Sequence, residues 1–252
     1  MDSIWVYDLA RSTEERLTRE SNNFTPQWTR DGKRIVFSSA RRGEYDIFTK
    51  PVDALGIEEV LLAREVDEAA FAISPDGSWL ALVEYTVLTG EDVVLFAMPG
   101  GSDPIPAVET ASEDNSPQFS RDSAWLAFRS TASGRSEVYV QRVPDAEGRV
   151  RVSTSGGSSP AWSPTKDELY YVAGDRVMAL RYRIVGDEFR AETPRFLLDL
   201  PEGDASGDFL EISPDGTRFL ILVDSGQDPP PTEIHVTTNW FEELKRLAPP
   251  SR

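Results

Sequence analysis

The sequence predicts an all-β chain folded as a β-propeller of four-stranded blades, and three observations predict it. An apolar anchor recurs at Trp28, Ile73, Phe119, Trp162 and Ile212, at spacings of 45, 46, 43 and 50 residues. Each anchor leads into a comparable polar turn: Thr29-Arg30-Asp31-Gly32, Ser74-Pro75-Asp76-Gly77, Ser120-Arg121-Asp122-Ser123, Ser163-Pro164-Thr165-Lys166 and Ser213-Pro214-Asp215-Gly216. Each turn is followed by a short run rich in β-formers, too short for a helix. Four short strands in a period of roughly 45 residues is the pattern of a propeller blade. A β-sandwich would not require one turn motif to return in fixed register.

The elements follow in order. Ile4 to Leu9 reads as a third strand and Glu15 to Thr18 as a fourth, so the first blade is partial and Met1 runs abruptly into a strand. The five repeat motifs then supply second strands at Ile35-Val36-Phe37, Leu80-Ala81-Leu82, Leu126-Ala127-Phe128, Leu169-Tyr170-Tyr171 and Phe219-Leu220-Ile221. Third strands are expected at Asp46 to Phe48, Val93 to Phe96, Glu137 to Val140, Val177 to Leu180 and Glu233 to Val236. Fainter fourth strands are expected at Glu59 to Leu62, Pro106 to Val108, Arg151 to Ser153 and Phe196 to Leu198. The tally fits a six-bladed ring shortened at its start, with the propeller over residues 1–238.

Within the turns, Pro pre-sets the second position, Asp tolerates the third, and Gly takes a positive φ where the chain re-enters a strand. Ser123 and Thr165-Lys166 depart from this pattern, which predicts longer or looser hairpins in repeats three and four. The anchors Trp28, Phe119 and Trp162 are expected between neighbouring blades, since a single blade cannot bury both faces. After Thr238, Asn239 as N-cap with Glu242 three residues on, then Lys245 and Arg246 near the end, predict a short helix over 239–247, within a terminal segment 239–252.

Charge and composition narrow the function. Against 43 acidic residues there are 26 basic ones, a formal charge of −17, which opposes binding to nucleic acid or an anionic membrane. With no cysteine, disulfides and thiol chemistry are excluded. No apolar run is long enough to span a membrane, so no direct membrane insertion is expected of this chain. Met1-Asp2-Ser3-Ile4 lacks the basic start of a signal peptide, so the sequence as written reads as soluble and without an export signal.

Catalytic constellations are scarce. A Ser-His-Asp triad needs a histidine base, and His235 is the single histidine, set between Ile234 and Val236 in an expected strand. Neither a Gly-x-Ser-x-Gly elbow nor a phosphate-cradling glycine loop occurs. One histidine excludes histidine-based metal sites, and the Asp-Gly turns lack the alternating acids of an EF-hand. Adjacent acids at Glu58-Glu59, Asp67-Glu68, Glu113-Asp114 and Glu242-Glu243 read as solvated loop residues. A non-enzyme without cofactor or metal is expected.

One pattern rises above this. The loops joining each outer strand to the next inner strand emerge together at one face of a propeller. Here they are Arg19 to Phe24, Glu65 to Ala69, Ala111 to Ser116, Ser155 to Ser159 and Glu202 to Asp208. Their acids (Glu20, Glu65, Asp67, Glu68, Glu113, Asp114, Glu202, Asp204 and Asp208) would focus a negative potential at the channel mouth, suited to a basic peptide or a cation. Asn22, Asn23, Phe24, Asn115 and Ser116 could add hydrogen bonds or an apolar contact.

The recurring Pro-x-Trp-Ser-Pro-Asp-Gly-x-x-Ile-Ala-Phe pattern resembles the PD40, or WD40-like, repeat of the TolB-type propellers. The segments Ile4-Trp5-Val6-Tyr7-Asp8-Leu9-Ala10-Arg11 and Ile234 to Leu247 are similar to the C-terminal propeller of bacterial eukaryotic-like serine/threonine kinases. The resemblance implies a sensory or protein-interaction module, extracytoplasmic when it follows a membrane helix and otherwise cytoplasmic. It carries over neither kinase activity nor a membrane anchor, since those segments are not in this sequence. Other expectations it leaves open are an accessory propeller of a prolyl-oligopeptidase-like peptidase, a TolB-like periplasmic scaffold, and self-association through an open blade edge.

Overall fold

A computed structural model describes residues 2–53, 56–108, 110–145, 148–200 and 210–221. Those residues form a β-propeller: six antiparallel sheets that pack face to face in chain order. The first sheet holds β1 (Trp5–Asp8) and β2 (Thr13–Arg16). Four complete blades follow: β3 (Asn23–Trp28) to β6 (Glu59–Leu62), with β4 (Arg34–Ser39) and β5 (Asp46–Pro51) between; β7 (Asp67–Ile73), β8 (Trp79–Thr86), β9 (Gly90–Ala97) and β10 (Ile105–Pro106); β11 (Asp114–Phe119), β12 (Trp125–Ser130), β13 (Glu137–Arg142) and β14 (Val150–Arg151); and β15 (Ser158–Trp162), β16 (Glu168–Ala173), β17 (Arg176–Val185), β18 (Glu188–Ala191) and β19 (Arg195–Asp199). The sixth sheet pairs β20 (Leu210–Ile212) with β21 (Phe219–Ile221). The expected third strand at Glu233 to Val236 and the helix over 239–247 lie outside the described residues.

Period-2 alternation explains the stacking, because successive side chains of a strand point to opposite faces. On β12, Leu126 and Phe128 join the core shared with the preceding blade, while Trp125 and Ala127 join the core shared with the next. β8 divides the same way, Leu80 and Leu82 backward, Ala81 and Val83 forward. Middle strands buried on both faces therefore read as unbroken apolar runs, the feature that marked them in sequence.

The turn chemistry is side-chain chemistry. In each Asp-containing turn, a Ser or Thr hydroxyl donates to the Asp carboxylate: Thr29 to Asp31 at 2.7 Å, Ser74 to Asp76 at 2.6 Å, Ser120 to Asp122 at 2.5 Å and Ser213 to Asp215 at 2.5 Å. The carboxylate accepts a backbone N–H two residues on. These hydrogen bonds hold Asp76 and Asp215 down at about 2 and also lower Asp31. Gly32, Gly77 and Gly216 take φ of +66°, +79° and +69° at the next position.

Repeat three is neither longer nor looser, against expectation, whereas repeat four keeps its length but lacks the inner backbone bond that closes the others, Gly32 N to Thr29 O, Gly77 N to Ser74 O, Ser123 N to Ser120 O and Gly216 N to Ser213 O. All five turns close on the same backbone bond from the first turn residue to the carbonyl five residues on, at 2.8–3.0 Å. Ser123 adopts the glycine conformation, φ +61°, and its hydroxyl accepts from Asp76 N at 3.1 Å in the neighbouring turn. In repeat four the Ser163 hydroxyl accepts the Lys166 N–H at 3.1 Å, the N–H that in the other turns goes to the carbonyl of the first turn residue.

A second recurring device lies on the inner strands. Thr25, Ser116 and Ser159 each precede Pro and take φ of +48°, +54° and +48°, and the ladder slips at each of these places. A bulge is where proline's missing N–H costs no ladder bond.

The anchors divide. Phe119 is buried against the preceding blade, and Trp162 donates its indole N–H to Gln118 O across the blade boundary at 2.9 Å. Trp28 is 52% exposed rather than buried between blades. Phe119 and Trp162 pack toward the inner strands of the blade before them, and the described sheet before Trp28 consists of β1 and β2 alone.

Candidate functional site

Strand β3 runs into the Asp31-Gly32 turn, so its start, with those of β7, β11 and β15, lies at the opposite end of the propeller. The charged loops gather there. The structure moves several of their residues out of the loops, however. Asn23 opens β3, Asp67 and Glu68 open β7, and Asp114 and Asn115 open β11. The bulge at the Ser/Thr-Pro position lets the ladder resume beyond it, which extends each inner strand toward the mouth.

Asn23, Glu68 and Asp114 occupy equivalent positions on three successive blades, and all three are buried, which for Glu68 and Asp114 corrects the reading of solvated loop residues. Each ties down the segment that enters its strand. The Asn23 amide donates to Asp2 O, Glu20 O and Ser21 O at 3.1, 2.8 and 3.1 Å, and its oxygen accepts from Arg41 at 3.1 Å. Glu68 accepts from Arg64 Nε, four residues earlier, at 2.9 Å. Asp114 accepts from the Thr110 hydroxyl, also four residues earlier, at 2.5 Å. Asn115 is buried with its oxygen bonded to the N–H of Ser116. These side chains anchor the mouth; they are not displayed by it.

Burial governs their protonation. Glu68 is pushed up to about 7, because desolvation outweighs the hydrogen bonds and charge of Arg64, which also pairs with Glu84. Desolvation likewise raises Asp114, with Asp92 of the preceding blade adding to it. Glu137, at the start of β13, goes the other way. Desolvation is outweighed there by hydrogen bonds from Ser153, Arg135 (2.6 Å) and Gly156 N (3.2 Å).

The displayed charge is a smaller set. Glu20, Asn22, Glu65 and Glu113 are exposed, and Asp67 is half-buried with its carboxylate accepting from Tyr45 N at 2.7 Å. Asn22 accepts from Asp2 N at 3.2 Å. Glu44, on the β4–β5 hairpin and not anticipated from sequence, faces Asp67, whose charge raises the Glu44 carboxyl. Arg41 is half-buried over the ring of Phe48, 4.3 Å from its centroid, and pairs with Glu58, so its charge is partly spent inside the fold. Asp204 and Asp208, with Glu202, lie outside the described residues. Among the described residues no group of three or more His, Asp or Glu side chains has the geometry to hold a metal ion.

No protein-family model matches the sequence, and a comparison with curated proteins finds no match. Solved structures do match. The fold is similar to a TolB-type protein from Agrobacterium tumefaciens, at 16% identity and TM-score 0.54, over 85% of this chain and 94% of that one. It is similar to TolB from Acinetobacter baumannii at 20% identity and TM-score 0.56, over 77% of this chain and 48% of that one. A prolyl endopeptidase matches at 16% identity and TM-score 0.52, over 77% of this chain and 32% of that one. Identities this low bear on the fold alone, which is a β-propeller.

Proposed function

We propose that this propeller is a non-catalytic binding module whose acidic end holds a basic segment of a protein partner. The observation that carries the reading is the meeting of Asp67 with the Glu44–Tyr45 hairpin of the adjacent blade: the Asp67 carboxylate accepts the Tyr45 N–H at 2.7 Å, and its charge raises the neighbouring Glu44 carboxyl. Glu20, Glu65 and Glu113 add exposed charge at the same end. A cationic peptide relieves such repulsion, whereas nucleic acid adds to it.

The test is fluorescence anisotropy with a lysine-rich, apolar-free peptide. Asp67→Asn combined with Glu113→Gln should weaken binding about five- to tenfold at low salt and flatten its salt dependence. Unchanged affinity sinks the reading. Hydrolysis of a peptide substrate or phosphotransfer by the purified chain would overturn the non-catalytic part.

The finer reading is a sensory propeller of a receptor-like serine/threonine kinase, supported by the segments at 4–11 and 234–247. An accessory propeller of a prolyl-oligopeptidase-like peptidase and a TolB-like scaffold are the alternatives, each supported by likeness of fold. The neighbouring coding sequence separates them: a kinase domain and membrane helix, a hydrolase, or Tol-system components.

A further inference from the structure

We propose that the β8–β9 hairpin is a rigid apolar knob that seats in a hydrophobic pocket of a protein partner, a pocket rimmed by Lys and Arg. The inference deepens the acidic-end reading and rests on it. The β4–β5 and β12–β13 ladders stop at Ser39↔Asp46 and Ser130↔Glu137, but the β8–β9 ladder passes the matching pair, Glu84↔Asp92, and continues through Tyr85↔Glu91 and Thr86↔Gly90. Two further pairs lift the tip by roughly 7 Å at strand rise. Val87 and Leu88 at its end are 102% and 96% exposed, the most exposed large apolar side chains among the described residues.

The tip is built to hold that shape. The Thr86 and Thr89 hydroxyls lie 2.6 Å apart, both hydrogen-bond to the Asp92 carboxylate, and Thr89 N–H donates to Thr86 Oγ1 at 3.3 Å. Gly90, at φ +88°, closes the turn, and any Cβ there would lie 3.2 Å from the Glu113 side chain of the next blade. The turn that carries the two apolar side chains is thus held by its own hydrogen bonds, with little backbone freedom left to lose on binding.

The collar around the knob selects the partner. Asp67 pairs across from Tyr85, Glu113 lies against Gly90, and of Glu91 and Asp92 only Glu91 meets a cation, Arg129 at 2.7 Å. An anionic bilayer is repelled by this collar, while a protein pocket edged by basic side chains complements it. The other hairpins at this end among the described residues, Ala40 to Tyr45, Thr131 to Ser136 and the Gly174-Asp175 turn of β16 and β17, carry polar tips.

The experiment compares two synthetic peptides of equal charge on the full chain: the lysine-rich, apolar-free peptide and a lysine-flanked peptide with a leucine cluster. The leucine peptide should bind about tenfold tighter or better. Val87→Ser with Leu88→Ser should erase that advantage and leave the apolar-free peptide's affinity unchanged, with an unaltered thermal midpoint showing the fold intact. Equal affinities of the wild type for the two peptides, or a leucine advantage that survives the double substitution, overturns the knob while leaving the acidic-end reading standing. If neither peptide binds, both fall. Vesicles of phosphatidylcholine form the third arm: binding to them that Val87→Ser with Leu88→Ser abolishes, with no leucine advantage, assigns the knob to a membrane and overturns the proposal.

Discussion

At the scale of single residues, Glu68 and Asp76 titrate in opposite directions for opposite reasons. Asp76 is exposed and bonded by Ser74, Ser78 and Ser123, so its charged form is favoured. Glu68 is enclosed, and Arg64 is shared with Glu84, so its neutral form is favoured up to about 7. A carboxyl whose folded pKa exceeds its unfolded value binds more protons when folded. Stability therefore falls as pH rises from the unfolded value near 4.5 through about 7. Urea melts at pH 5 and pH 8 should show that fall, and Glu68→Gln should reduce it by about 1–2 kcal/mol. A variant that loses as much stability as wild type over this range would contradict the assignment. The acid at position 68 was legible in sequence; its burial was not, because burial follows from where the β7 ladder resumes beyond its bulge.

At the scale of elements, the instructive case is the hairpin of β17 and β18. The spacing between Trp162 and Ile212, 50 residues, is the longest of the four, and strand periodicity does not show what the additional chain forms. β17 continues past its blade to Val185, turns at Gly186 and returns as β18. The return places Phe189 in a cluster with Trp125, Trp162 and Tyr182, at ring centroid distances of 5.4, 6.0 and 4.9 Å. Arg142 on the preceding blade pairs with Asp187 at 2.8 Å. Phe189 is 5% exposed, so Phe189→Ala should cost about 3–5 kcal/mol in a denaturation measurement. A loss below about 1 kcal/mol would mean the hairpin merely lies on the surface. Short apolar triplets and Asp-Gly turns were readable because each is a local device; this hairpin's purpose is set by aromatic side chains from two other parts of the chain.

At the scale of the molecule, five cores join six sheets among the described residues, and each core draws on two successive sheets. β1 pairs with β2 alone among the described residues, and Trp5 and Tyr7 on it are exposed. A strand edge with exposed aromatics favours pairing with a second copy, while a charge of −17 opposes it. The expected result is self-association that strengthens as salt screens the charge, read by sedimentation velocity over a concentration series, and that Trp5→Ser with Tyr7→Ser abolishes. A sedimentation coefficient independent of concentration and salt would count against it.

The residues alone determined the propeller, its period, its turns and the end at which its charged loops collect, because all of these follow from local patterning repeated along the chain. Tertiary structure decided which charges are shown. Asn23, Glu68 and Asp114 turn inward as anchors, Glu44 and Asp67 meet across a blade boundary, and Val87 and Leu88 rise above the rest. Those outcomes depend on ladder register and on contacts between blades, and a single-residue shift in register moves a side chain from one face to the other.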